Sequence, residues 1–173
     1  MRADLFYQSH AEQALPLVLV SKAEWEKGFP EITEAEHRFL GVQQFQAKLG
    51  DVCLISNACG SPVKAYIGAW DNNDVAAMAH AASRLPRGCY APAKPLSQFA
   101  MVTWALAQYR FDAFKKQDIL PRVLVLEQEK LTKVQTEAEA IFLVRDLINS
   151  PSNALGPKEM AAVVAKMANE WGA

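Results

Sequence analysis

His10, His37 and His80 are the only imidazoles of the chain, and no two stand close enough in sequence for one helix face to deliver both. Glu34-Ala35-Glu36-His37 sets acids beside a histidine but lacks the second ring of a His-Glu-x-x-His zinc helix, so its acids read as a surface helix cap. Cys53, Cys59 and Cys89 are an odd set without metal-ligand spacing. One lies in an apolar run, one beside Gly60-Ser61-Pro62 and one after Gly88, as expected of packing or unreactive surface thiols. Ser61 lacks the nucleophile elbow of a hydrolase, and Gly41 and Gly50 build no dinucleotide turn. His80 and Ser83 share a helical neighbourhood with no acid identified to orient them. The remaining polar chemistry sits at Arg145-Asp146 and at Asn149-Ser150-Pro151-Ser152-Asn153. Arg145 interrupts an apolar stripe, so its stem is expected to pack while its guanidinium pairs with Asp146, another acid or a carbonyl. Asn149 and Asn153 flank Pro151 and are expected to bond the free backbone groups of that turn. These are structural roles.

The elements that position these residues follow from periodicity. Leu131, Val134, Ala138, Ile141, Arg145 and Ile148 recur at three- and four-residue intervals, which predicts a helix of about five turns. Thr132 and Gln135 have the spacing of a capping box for its start. Pro151 ends it, because proline lacks an amide hydrogen and disfavours helical geometry at Ser150. A second helix opens at Gly156-Pro157, with Pro157 in the first-turn position it tolerates and an apolar face of Met160, Val163, Val164, Met167 and Trp171.

Upstream, residues up to Ala14 read as a leader strand or irregular arm. Leu15 to Val20 is continuously apolar, as a strand covered on both faces requires, with Pro16 at its beginning. Ser21 with Glu24 and Thr33 with Glu36 predict capping boxes for two short helices, the first ending at Gly28-Phe29-Pro30. Val52 to Ser56 and Val63 to Trp70 predict strands paired as a hairpin across a turn-rich break. Asp71 or Asn72 is the expected cap of the next helix, with Asp74 in its first turn and Val75, Met78, Ala79, Ala82 and Leu85 on its core face. Cys89-Tyr90-Ala91 reads as a short edge strand or loop because of Pro92 and Pro95. Ser97 begins a helix whose broad side holds Phe99, Val102, Leu106 and Tyr109 or Arg110, with Trp104 and Phe111 as core or domain-interface packing. Lys115-Lys116-Gln117 is a solvated connector, and Arg122 to Glu127 a further strand. Strands alternating with helices predict a mixed or mainly parallel α/β domain followed by terminal helices.

The run Ala140 to Ala161, AIFLVRDLINSPSNALGPKEMA, resembles the junction of leucyl aminopeptidases of the M17 metallopeptidase family, where an Arg-Asp-Leu helix leads through Asn-x-Pro into the catalytic domain. Trp104 to Asp112, WALAQYRFD, is similar to a helix ending in Tyr-x-Phe that precedes the same boundary. The resemblance implies a macro-domain-like mixed sheet flanked by helices. It divides the chain into an amino-terminal non-catalytic domain over residues 1–130, an interdomain helix and turn over 131–156, and the first helix of a catalytic domain over 157–173. Arg145, Asp146, Asn149, Pro151, Asn153 and Pro157 become interdomain structural residues. It also implies that two divalent ions, manganese or zinc, and an Asn-Thr-Asp-Ala-Glu-Gly-Arg motif belong to a carboxyl-terminal catalytic domain that would follow Ala173. No catalytic, cofactor or metal residue is then expected within these residues. The implied partners are that catalytic domain, peptides as substrate of the parent enzyme, and further copies in a hexamer. An independent macro-like nucleotide or ADP-ribose module and a non-catalytic scaffold are the alternatives.

Composition fits a module of this kind. A chain of 173 residues can bury the core of one ordinary domain, whereas a two-domain enzyme would be cramped. Eighteen basic against nineteen acidic side chains give no electrostatic reason to expect nucleic acid or an anionic membrane. The amino terminus, MRADLFYQSHAEQALPLVLV, has too short an apolar run for a signal peptide or membrane span, so a cytoplasmic protein is expected.

Overall fold

A computed structural model describes residues 2–28, 32–70, 74–115 and 120–172, apart from the side chains of Asp74 and Trp171. The expected roles of Phe29 and Pro30, of Asp71 and Asn72, of Lys116 and Gln117, and of the Asp74 and Trp171 side chains lie outside them. A single six-stranded sheet in the order β1-β6-β5-β2-β4-β3 organises the chain. β2 (Leu15–Ser21) is interior and pairs in parallel with β4 (Pro62–Ala69) and with β5 (Gly88–Pro92). β1 (Tyr7–Gln8) and β6 (Arg122–Val125) extend the parallel set, and β3 (Val52–Ser56) pairs antiparallel with β4 as the hairpin pattern predicts. The hairpin loop is closed by Asn57, whose Oδ1 accepts from the amides of Cys59 and Ser61 at 3.0 and 2.9 Å.

Helices cover both faces. α1 (Lys22–Lys27) and α2 (Glu34–Val42) form with both predicted capping boxes, and α1 ends at Gly28 with φ 78°. Residues of α2 and its following loop, Leu40, Phe45 and Ala47, build a core with Val18, Val20, Cys53, Ile55 and Tyr66. On the other face α3 (Asp74–Arg84), α4 (Gln98–Leu106) and α5 (Gln128–Asn149) enclose a larger core in which Trp104, Tyr90, Phe6 and Phe142 are fully buried. The loop before β3 lies directly on β4: a Cβ at Gly68 would stand 1.9 Å from the carbonyl oxygen of Lys48.

Several expectations are corrected. β5 is an interior strand rather than an edge or loop. Its Pro92 sits at the strand's end, where the β2 ladder runs through the Ala93 amide to the Leu17 carbonyl at 2.9 Å and the β6 pairing has already ended at Tyr90, so the missing donor breaks no ladder bond. The long helix starts at Gln128, a turn before Thr132, with Glu127 as N-cap, so no capping box forms at Thr132 and Gln135. Within it Phe142 takes the core position expected of Ile141, and Ile148 is 77% exposed. α4 buries Ala100, Met101, Val102, Trp104 and Ala105 and leaves Phe99 57% exposed. α3 likewise buries Ala77 and Ala81 beside Met78, Ala82 and Leu85, since it packs against α4 as well as the sheet.

Candidate functional site

The residues singled out at the junction converge on one aromatic ring. Tyr109 follows α4, and its hydroxyl donates to Asp146 Oδ1 on α5 at 2.6 Å. The Asn149 side-chain amide donates to the same hydroxyl at 3.3 Å. Arg145 donates from Nη1 to the Leu106 carbonyl at 2.9 Å, and its guanidinium carbon stands 5.3 Å from the Tyr109 ring centroid, within cation–π range. Of the three partners expected for Arg145 the structure realises the carbonyl, which is also the last residue of α4 and carries the dipole's negative end. Tyr109 and Phe142 pack with centroids 5.1 Å apart, so α5 is fastened to the end of α4 by apolar, cation–π and hydrogen-bonding contacts at once. Burial, and after it the bond to Asp146, push the Tyr109 phenol above its ordinary value.

The turn beyond α5 is closed mainly by backbone. The Pro151 carbonyl accepts from the amides of Ala154 and Leu155 at 2.9 and 3.0 Å, and Ser150 Oγ donates to the Asp146 carbonyl at 2.7 Å. Asn149 reaches back to Tyr109 instead of bonding the turn, and Asn153 is exposed, so the expected asparagine clasp does not form. Pro157 opens α6 (Pro157–Trp171) at its first position, with the Gly156 amide donating to the Glu159 carboxylate at 3.1 Å. Among the described residues α6 adds no side chain to either core: Met160 and Val164 are exposed, Val164 by 58%.

Sequence reasoning found Arg145, Asp146 and Asn149 but not Tyr109 as their common partner. Its nearest signal was the Tyr-Arg-Phe ending of the α4 segment, which carried no hint of a contact 37 residues away.

The other chemical side chains are accounted for locally. His37 stacks on Trp25 with ring centroids 4.6 Å apart. Glu36 caps α2 as expected and also pairs with Lys64 at 2.6 Å, tying the helix to β4. Ser83 Oγ donates to the carbonyls of Ala79 and His80. Cys53, Cys59 and Cys89 are free thiols, and burial pushes the Cys53 thiol up. At the carboxyl end of β2, a position where open α/β sheets commonly take ligands, the Ser21–Glu24 capping box is met by Lys94, 3.0 Å from Glu24. Among the described residues no three His, Cys, Asp or Glu side chains gather, so they do not fit the two-ion site that the family resemblance implies. Among the same residues no helix is long and apolar enough to cross a membrane.

Sheet order, helix placement and the fastened α5 define a mixed α/β domain with a helical extension. The chain belongs to the M17 aminopeptidase family, whose N-terminal domain profile matches residues 15–126. A probable cytosol aminopeptidase of Syntrophotalea carbinolica is 29% identical to it, over 82% of this chain and 37% of the relative. The crystal structure of the cytosol aminopeptidase from Coxiella burnetii shares the fold with a TM-score of 0.86 at 22% identity, covering 96% of this chain and 38% of that chain. The bottromycin maturation enzyme BotP in complex with Mn shares it with a TM-score of 0.67 at 17% identity, over 94% of this chain and 37% of that one. The chain thus spans well under half the length of these relatives.

Proposed function

We propose that the chain serves as the amino-terminal, non-catalytic domain of an M17 aminopeptidase, and that α5 and α6 hold it against a catalytic domain outside these residues. The observation that carries this reading is the junction itself. Tyr109, Asp146, Arg145 and Asn149 fasten one side of α5 to the domain, while Ala140, Val144 and Ile148 leave an exposed apolar row on the other. An apolar row on a rigidly held helix is a surface suited to packing against another domain. In this division residues 1–130 form the domain, 131–156 the connecting helix and turn, and 157–173 the first helix of the catalytic part.

Removal of amino-terminal residues from peptides, the two divalent ions, manganese or zinc, and the residues that ligate them belong in this proposal to that catalytic part. Family membership supports it, and so does the Mn in the BotP complex. A cytosolic location and a hexamer are parts of the same proposal, the first supported by the cytosol aminopeptidase relative. The test is hydrolysis of leucine p-nitroanilide by the 173-residue chain with manganese or zinc, beside a longer chain fused at its end to the catalytic part of the Syntrophotalea relative. Turnover is expected only from the fusion, and metal-dependent turnover by the 173-residue chain overturns the reading.

A further inference from the structure

β3 is an edge strand, and a groove of about 370 Å³ lies along its amino-terminal half. Phe39, Gln43, Gln44 and Phe45 line one side of it and Arg84 the other. These walls belong to opposite faces of the sheet. Leu40 and Phe45 pack with Cys53 and Ile55 on one face, whereas Val52 and Leu54 join the core that contains Ala77 and Met78 of α3. A cavity bounded both by the end of α2 and by Arg84 at the end of α3 therefore crosses the edge of β3 rather than lying over either face.

The ladder fixes what that edge offers. The Gly68 amide donates to the Asp51 carbonyl at 2.8 Å, and Val52 lies opposite Ile67, so Asp51 and Gly68 form a hydrogen-bonded pair. Alternation along an antiparallel ladder then turns the amide and carbonyl of Val52 and Leu54 away from β4, toward the groove. Arg84 donates from Nη1 to the Gly50 carbonyl, which holds its cation at the groove. The carboxylate of Asp51 is occupied by the amides of Gln46 and Lys48 at 2.9 and 3.1 Å. Gln43 and Gln44 are exposed on the opposite wall, with side-chain amides able both to donate and to accept. That wall is shaped by Gln44 and Ala47 in left-handed backbone, at φ 58° and 54°, a conformation that costs any residue bearing a Cβ.

We infer that this groove takes an extended peptide segment, which adds to β3 as a further strand and sets a carboxylate against Arg84. Main-chain bonds to Val52 and Leu54 supply the affinity, and the guanidinium selects an acidic residue or a free carboxyl terminus. The inference concerns a different surface from the α5–α6 junction and does not rest on the proposed function.

The test uses the 173-residue chain and the probe peptide acetyl-Thr-Val-Thr-Val-Asp, with calorimetric titration and amide hydrogen exchange. Saturable binding is expected, with exchange slowed at Val52 and Leu54. Arg84→Gln should weaken binding about fivefold, the scale of one exposed charge pair, and leave an uncharged Asn-amide version of the peptide unaffected. Val52→Pro removes one outward amide at the first residue of the strand, where proline is tolerated, and should abolish binding while circular dichroism is unchanged. Equal binding of a peptide N-methylated at alternate residues would overturn the inference, as would absence of protection at millimolar peptide. Protection that grows with protein concentration alone, together with a dimer in sedimentation, would show a second copy on the edge and also overturn it.

Discussion

The hydroxyl of Tyr109 meets Asp146 across 2.6 Å, joining the end of α4 to the last turns of a helix that begins after β6. The bond adds an attachment beyond the buried residues of α5, Leu131, Val134, Ala138 and Phe142, which lie nearer its start. Tyr109→Phe keeps the ring against Phe142 and Arg145 and removes only the hydroxyl. A loss of about 0.5–1.5 kcal/mol is expected, the usual net worth of one hydrogen bond, read from the midpoint of urea unfolding. An unchanged midpoint would mean that the junction is held by packing alone.

Gly68→Ala tests the close approach of the loop to β4. The new methyl group would overlap the Lys48 carbonyl, a backbone atom that cannot swing aside as a side-chain tip does. Either the loop lifts or β4 bends, and a loss of at least about 3 kcal/mol is expected in thermal or urea unfolding. A variant as stable as the parent would show that the loop is free to move.

The acid limb of stability should carry the signature of Glu36. Burial works to raise this carboxyl, but Lys64 and the amide and hydroxyl of Thr33 outweigh it and hold it below its ordinary value. Because the folded value is depressed, the stabilisation is present above the ordinary carboxylate value of 4.5 and is lost as pH falls through the folded value. Glu36→Gln should therefore flatten the decline of the unfolding free energy below about pH 4.5. Parallel acid limbs for parent and variant would contradict the pairing with Lys64.

At the alkaline end Tyr90 sets the expectation. Burial raises its phenol to about 12, and its hydroxyl donates to the Pro86 carbonyl at 2.8 Å. Tyr7, also buried, is raised by desolvation in the same direction. A phenol with a raised folded value stabilises fully below the ordinary value near 10, and that contribution is lost as pH climbs through about 12. Tyr90→Phe should lessen the slope of stability between pH 10 and 12, measured by urea unfolding at each pH; an identical slope would place the alkaline loss on other groups.

Local chemistry was the legible part of the sequence. Ser21 with Glu24, Thr33 with Glu36, Gly28 and Pro157 each act within one turn of their own position, and each stands where spacing put it. What depended on distant partners was not legible. Pro92 argues for an edge or loop when read alone, yet it falls past the last pair with β6, and β2 and β6 flank β5. Phe99 outranks Ala100 and Ala105 on any hydrophobic scale, but the side of α4 that the packing against α3, α5 and the sheet covers is the one that carries the alanines. The junction was half legible for the same reason: Arg145, Asp146 and Asn149 share one stretch of helix, while the ring they surround arrives from another.

The order of synthesis gives the sheet an awkward closing step. Among the described residues β1, at Tyr7 and Gln8, has β6 as its only strand neighbour, and β6 comes from Arg122 to Val125. Tyr7 and Gln8 therefore wait for this pairing until Arg122 to Val125 have been made, and closing so large a loop is slow. A nascent chain will hold the other strands while β1 still lacks β6, and proteases or chaperones that act during translation will meet Phe6 and Tyr7 before the core has covered them.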